Sequence, residues 1–243
     1  MFAVEQGFIT EEEATAIKAV EVREYGFRAG TLKRAPKAGF YRNDKVTYSW
    51  GQHTSEHERE EKFPSWMEEI AARVEEKYGE PVNHAIVIKY SDGYENHAPW
   101  HQDKSEELGR KTGCMKRGTG FYVISVGVPC TFQMKRSTKI FEGSIEFDEK
   151  LPHCSMLAIT AQQNVEYAHC VPKEDSEGER WSLIFRTIKT TERRSTKRKA
   201  SPSKPMTKSV VRHIFANELL SRESTWQKAS KCQIAALKKA LLS

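Results

Sequence analysis

The sequence predicts an α+β fold with a β-sandwich or jelly-roll core. Two helix-forming stretches come first, over residues 5–25 and 65–79, and a run of short apolar segments broken by turns fills residues 85–188. Helices followed by many short strands describe a sheet-based core with helices segregated to one side. No internal repeat is present. From about residue 190 the composition changes, and a further helical segment follows.

The first helix rests on Thr10-Glu11-Glu12-Glu13, an N-cap followed by acids that suit the positive end of a helix, and on an apolar stripe of Ala16, Ile17 and Val20. Residues 26–51 read as strands and turns. Gly39-Phe40-Tyr41 leads through Asn43-Asp44 into Val46-Thr47-Tyr48-Ser49-Trp50, a hairpin pattern rich in aromatics and dotted with Arg34, Lys37, Arg42 and Lys45. Such a mixture suits either core packing or contact with nucleobases and phosphates. Residues 52–62 are a polar loop in which His53 and His57 stand at helical spacing, either as a metal pair or as solvated residues. The second helix carries Trp66, Ile70, Ala71 and Val74 at three- and four-residue spacing. Ala85–Tyr90 is a continuous apolar strand ending at the turn Ser91-Asp92-Gly93. After a polar stretch over 104–120, strands are expected at Phe121–Val126, Cys130–Met134, Ile140–Phe147, Met156–Thr160 and Trp181–Ile188.

Charge is unevenly spread. Residues 190–243 hold 13 Lys and Arg against 3 Asp and Glu, a balance of +10, which leaves 26 against 30 for residues 1–189. The basic stretch 190–209 has two prolines and no apolar face, as a disordered linker does. Its cluster around residues 193–199 reads as a nuclear-import signal, a nucleic-acid arm or a plain solvated linker. Residues 210–243 regain helical periodicity, which fits packing on the domain, a protein partner or self-association. No apolar run of about 18 residues exists, which argues against a transmembrane helix. The acidic N-terminus argues against a secretory signal. The 5 scattered cysteines contain no CxxC pair, so neither a disulfide framework nor a zinc ribbon is indicated, and a reducing intracellular location fits. The location is nuclear if the basic cluster is an import signal and cytoplasmic otherwise.

The candidate chemistry sits in His101-Gln102-Asp103. Residues i and i+2 of extended chain face the same side, so His101 and Asp103 can serve one metal ion. His169, in Tyr167-Ala168-His169-Cys170, supplies a second imidazole. Two His and one carboxylate leave open positions, the arrangement of non-haem Fe(II) oxygenases. A 2-oxo acid co-substrate would fill two of those positions, with O2 at the third, and its far carboxylate needs a cation. Arg180 and Arg186 lie on one face of the next strand, and a guanidinium pairs with a carboxylate through two parallel hydrogen bonds. Six residues of strand span about 20 Å, so the two arginines have different roles. His84, His97, His153 and His213 have no comparable context.

In order along the chain, Tyr90, His101-Gln102-Asp103-Lys104, Ile124-Ser125-Val126-Gly127 with Phe132-Gln133, Tyr167-Ala168-His169 and Arg180-Trp181-Ser182-Leu183-Ile184-Phe185-Arg186 are similar to the AlkB family of Fe(II)/2-oxoglutarate-dependent nucleic-acid dioxygenases. The resemblance covers roughly residues 8–188 and gives a domain of residues 1–189. It implies a double-stranded β-helix (jelly-roll) core with N-terminal helices and a C-terminal helical appendage. It implies Fe(II) on His101, Asp103 and His169, with 2-oxoglutarate and O2 as co-substrates and no further catalytic residue. Tyr90, Arg180, Arg186 and Ser182 would bind 2-oxoglutarate, with Arg180 on the distal carboxylate and Arg186 nearer the metal. A nucleotide-recognition lid around residues 34–51 would offer Phe40, Tyr41, Tyr48 and Trp50 to the base, beside Lys104. Two positions depart from the family pattern: Ile88 and Ser182 stand where many members have Asn, and each removes or shortens a polar contact to the co-substrate.

The function implied is oxidative demethylation of N-methylated bases in DNA or RNA, single-stranded or with a flipped base, releasing formaldehyde, succinate and CO2. Stable hydroxylation of a C-methyl pyrimidine or of a protein side chain uses the same chemistry. A catalytically weak nucleic-acid-binding module is the reading from a different class.

Overall fold

The computed structural model describes residues 2, 4–23, 35–43, 46, 48, 61–91, 93, 96–137, 143–175 and 178–190. The linker at 190–209, the segment 210–243, Trp50, and the loop with His53 and His57 lie essentially outside these residues. In chain order the elements are β1 (Val4–Glu5), α1 (Glu11–Lys18), β2 (Lys37–Tyr41), β3 (Glu61–Lys62), α2 (Ser65–Tyr78), β4 (His84–Tyr90), β5 (Ala98–His101), β6 (Phe121–Gly127), β7 (Cys130–Arg136), β8 (Ile145–Leu151), β9 (Ser155–Ile159), α3 (Ala161–Glu166), β10 (Tyr167–Val171) and β11 (Arg180–Arg186).

The strands form two sheets. The major sheet has the order β1-β9-β6-β11-β4-β2-β3 and the minor sheet β5-β10-β7-β8. Every pairing is antiparallel except β2 with β3. The period-two alternation of strands sorts the major sheet into two faces. Ala85, Val87, Tyr122, Ile124, Trp181, Leu183 and Phe185 face α1 and α2, which bury Ile17, Met67, Ile70 and Val74 against them. Ile86, Tyr90, Phe121 and Val123 face the minor sheet and meet Phe132, Met134, Tyr167 and Val171. This second layer, between the sheets, holds the candidate site. The expected jelly-roll architecture is what the chain adopts.

Local chemistry sets the helix limits. Thr10 accepts a hydrogen bond from the Glu13 amide and its own amide donates to the Glu13 carboxylate, a reciprocal cap that starts α1 at Glu11 rather than at residue 5. The residues before it belong elsewhere: Val4 and Glu5 pair with β9. The helix ends at Lys18, so the expected span of 5–25 is corrected to 11–18. α2 ends at Gly79, whose φ of 70° is the left-handed conformation glycine adopts at little cost, and its amide donates to the Glu75 carbonyl.

Of the expected hairpin over 39–50, residues 44, 45, 47, 49 and 50 lie outside the described residues. β2 is an interior strand of the major sheet between β4 and β3, and Val46 and Tyr48 carry no strand pairing. Arg42 does not face a ligand. It bridges Glu68 and Glu75 of α2, with nitrogen–oxygen distances of 2.5 and 2.6 Å. β8 begins at Ile145, later than the expected Ile140, with residues 138–142 outside the described part.

Candidate active site

Strand register brings the two histidines together. β5 and β10 pair antiparallel with His101 opposite His169, and the ring centroids lie 4.2 Å apart. Phe132 of β7 stacks on His169 at 5.5 Å and 13°, which fixes the ring from its other side. Asp103 follows β5 by two residues. The ligand atoms of His101, Asp103 and His169 lie within 4.8 Å of one another.

The ring of His101 has its Nδ1 2.7 Å from the Pro99 carbonyl. A carbonyl only accepts, so Nδ1 carries the proton and Nε2 keeps a lone pair toward Asp103. His101 Nε2 and Asp103 Oδ1 are 3.9 Å apart, too far for a hydrogen bond but within the span of two metal–ligand bonds of about 2 Å each. The other carboxylate oxygen is occupied: Arg186 Nε and a terminal nitrogen donate to Oδ2 at 2.7 and 2.6 Å. Oδ1 is the carboxylate oxygen turned toward His101. The Nδ1 of His169 is buried without a hydrogen-bond partner. Two imidazoles and one carboxylate, gathered within 4.8 Å, are a donor set that fits a divalent ion.

Electrostatics keep these groups in their ligating forms. Burial pushes the Asp103 carboxyl up, but Arg186, then His169 and His101, more than reverse this and hold it at about 2. Burial, with His101 next, pushes the His169 imidazole down to about 3, so the ring is neutral near pH 7.

Arg180 shows a second kind of fit. Its side chain is buried, and its Nε and both terminal nitrogens have no hydrogen-bond partner. It lies directly opposite Tyr90 in the β4–β11 register, with the guanidinium 4.8 Å from the ring centroid. An unpaired buried guanidinium is costly, and a ligand carboxylate is the group that relieves it. Gly127 faces Arg180 from β6, where a β-carbon would collide with the Glu179 carbonyl oxygen, so only glycine lets the chain before Arg180 approach this closely. Arg180, Ser182 and Arg186 line one cavity of about 320 Å³ together with Tyr90, Asp103 and both histidines.

A family model of the 2OG-Fe(II) oxygenase superfamily matches residues 4–215. The chain belongs to that superfamily. The oxygenase works with Fe(II), 2-oxoglutarate and O2, and the residues just described fit both the ion and the co-substrate. Among 109 chains of solved structures that match, one is titled "The structure of OsALKBH1", an AlkB homologue. The likeness covers 76% of this chain and 97% of that one, with 14% identity and a TM-score of 0.55, and it shows an AlkB-like jelly-roll fold. No curated protein matches the chain.

The oxygenase gathers most of the residues expected from its sequence, with corrections. Tyr48 is buried in the cavity wall, where its hydroxyl accepts from the Lys104 amide at 3.2 Å and its ring lies 4.8 Å from the Arg186 guanidinium. Lys104 also lines the cavity. Phe40 does not: it belongs to the face of β2 packed toward the helices. Tyr41 is half-buried against the inter-sheet core and is not part of the cavity wall. The two departures from the family pattern are neighbours, because Ile88 and Ser182 are direct cross-strand partners.

Three contributors stand outside the expected site residues, Lys37 being marked in the sequence only as one cation of several. Lys37, the partner of Ile88 on β2, lines the cavity. So does His97, whose buried Nδ1 has no partner. Asn164 grips Asp103 from α3, and the signal for that helix was present: Thr160 and Gln163 cap it reciprocally. A second cluster, Glu11, His153 and Cys154, has metal-ligand types but the wrong proton. The Gly127 amide donates to His153 Nδ1 at 2.9 Å, so the ring proton sits on Nε2, 3.1 Å from Glu11, and no lone pair faces the cluster.

Among the described residues, no helix is long and apolar enough to cross a membrane.

Proposed function

We propose that this oxygenase demethylates N-methylated bases of DNA or RNA. The observation that carries the reading is the charge of the cavity. Among the described residues, Lys37, Lys104, Arg180 and Arg186 line it, with Asp103 as the carboxylate among them. Arg180, whose buried guanidinium has no hydrogen-bond partner, leaves the described wall with an excess of positive charge. That field attracts a polyanion and repels a cationic protein side chain. The AlkB-like fold supports the same substrate class.

When bound, Fe(II) and 2-oxoglutarate reduce O2, so that 2-oxoglutarate leaves as succinate and CO2 while one oxygen atom enters the methyl C–H bond. The protein's residues set the geometry for this. His101, Asp103 and His169 would hold the ion. Arg186 takes up one Asp103 oxygen, which keeps the carboxylate charged. Arg180, backed by Tyr90, anchors the far end of the co-substrate. The buried Tyr48 ring and Lys104 close the remaining wall, an aromatic surface and a cation suited to a base and its phosphate. Positioning of this kind is the larger part of what the protein adds. A hydroxymethyl group on nitrogen then loses formaldehyde and restores the base.

The test is turnover of methylated oligonucleotides, DNA and RNA, single- and double-stranded, read by mass spectrometry. Loss of the methyl group with formaldehyde and succinate release is expected. Retention of the methyl carbon with one added oxygen would instead assign stable hydroxylation. Succinate formation stimulated by a peptide and by no nucleic acid would overturn the reading.

A further inference from the structure

The two metal-ligand segments are far apart in sequence, and one side chain joins them. Asn164 is fully buried. Its Oδ1 accepts from the Asp103 amide at 3.0 Å, and its Nδ2 donates to the Asp103 carbonyl at 2.9 Å. The amide thus pairs with the backbone of Asp103 as a neighbouring strand would, at a place where none of the described strands does so. Five residues after Asn164, along α3 and into β10, the chain reaches His169.

The neighbouring residue reinforces the grip. Gln102 Nε2 donates to the Asn164 and Val165 carbonyls at 2.9 and 2.8 Å, and its Oε1 accepts from Ser137 at 2.9 Å. These contacts satisfy carbonyls at the end of a six-residue helix, where they have no partner within the helix. The turn that launches His169 is in this way stitched to the loop that carries Asp103.

We infer that Asn164 is a positioning residue for the metal centre, setting the separation of Asp103 from His169 before any ion arrives. The inference rests on the assignment of those two residues as ligands. Its physical basis is that ligands held by outer contacts need no reordering when the ion binds, and loss of such contacts typically weakens metal affinity. Hydrogen bonds to both backbone groups of Asp103 fix the direction of its side chain as well as its place.

The test is Mn(II) affinity by isothermal titration on the full chain, alongside thermal melting of the apo protein. Asn164→Ala is expected to weaken Mn(II) binding by about 10–100-fold. Asn164→Asp, which is isosteric and keeps the acceptor for the Asp103 amide while losing the donor to its carbonyl, should fall between it and the wild type, and it carries the test if the alanine variant does not fold. Thr160→Ala removes the α3 cap without touching Asp103; it should lower the melting temperature and leave Mn(II) affinity unchanged. Wild-type affinity in Asn164→Ala, or the same affinity loss in Thr160→Ala, would overturn the inference. Asp103→Ala separates the two claims: if it binds Mn(II) as the wild type does, the ligand assignment itself fails, whatever Asn164 does.

Discussion

Asp103→Ala is expected to abolish Fe(II)-dependent conversion of 2-oxoglutarate to succinate, a loss well beyond the roughly 10–100-fold that follows removal of a ligand's supporting contact. Two effects combine. The ion loses its anionic ligand, and Arg186, itself buried, loses the carboxylate that takes two of its N–H groups. An uncompensated buried charge costs about 3–5 kcal/mol, so the alanine variant is also expected to be less stable. Asp103→Asn keeps the volume but not the charge, and its one oxygen can serve either the ion or Arg186, not both. Melting curves and succinate assays on both variants distinguish loss of fold from loss of chemistry. Full activity in a folded Asp103→Ala protein would remove Asp103 from the metal site.

Arg180→Ala is expected to act on the co-substrate instead. Three unpaired nitrogens in a buried guanidinium mark the position where a carboxylate belongs. Truncating one partner of a buried charge pair costs about 2–5 kcal/mol, which corresponds to about a 30- to 5,000-fold rise in KM for 2-oxoglutarate. Metal affinity without co-substrate should be unchanged, because Arg180 contacts none of the three ligands in the described structure. Arg180→Lys should recover part of the loss, as a charge without the planar fork. An unchanged KM in the alanine variant would place the distal carboxylate elsewhere. Together with Asp103, this pair of variants divides the cavity into an ion end and an anchor end.

The parts of this arrangement that were legible in the sequence are those whose signal is local. The apolar runs Ala85–Tyr90 and Phe121–Val126 announce buried strands by composition alone. The likeness of the ordered motifs to a known family supplies the ligands and the arginines at once. What escaped depends on register. Phe40 and Tyr41 are adjacent aromatics in one strand, and nothing in their own segment says which faces the helices; pairing with β4 decides it, and turns Phe40 away. The same register brings Lys37 to the cavity wall beside Ile88, where composition marked it only as one cation of several. Arg42 belonged to that group too, and α2 claims it through Glu68 and Glu75. Two-residue strands such as β1 and β3 have no period to read, which is how Glu5 falls inside the expected helix that Thr10 in fact begins. Asn164 escaped for another reason: a capped helix of six residues is too short to show an apolar stripe, and the residue's value comes from a partner 61 positions away.

The central claim is that one cavity between the sheets holds the ion at His101, Asp103 and His169 and the far carboxylate of 2-oxoglutarate at Arg180. A crystal structure with Mn(II) and 2-oxoglutarate tests it most directly. The expected result is one ion bonded to both imidazoles and to Asp103 Oδ1, with the co-substrate chelating it and its distal carboxylate paired with Arg180. An ion bound elsewhere, or co-substrate density that leaves the Arg180 guanidinium unpaired, would contradict the account.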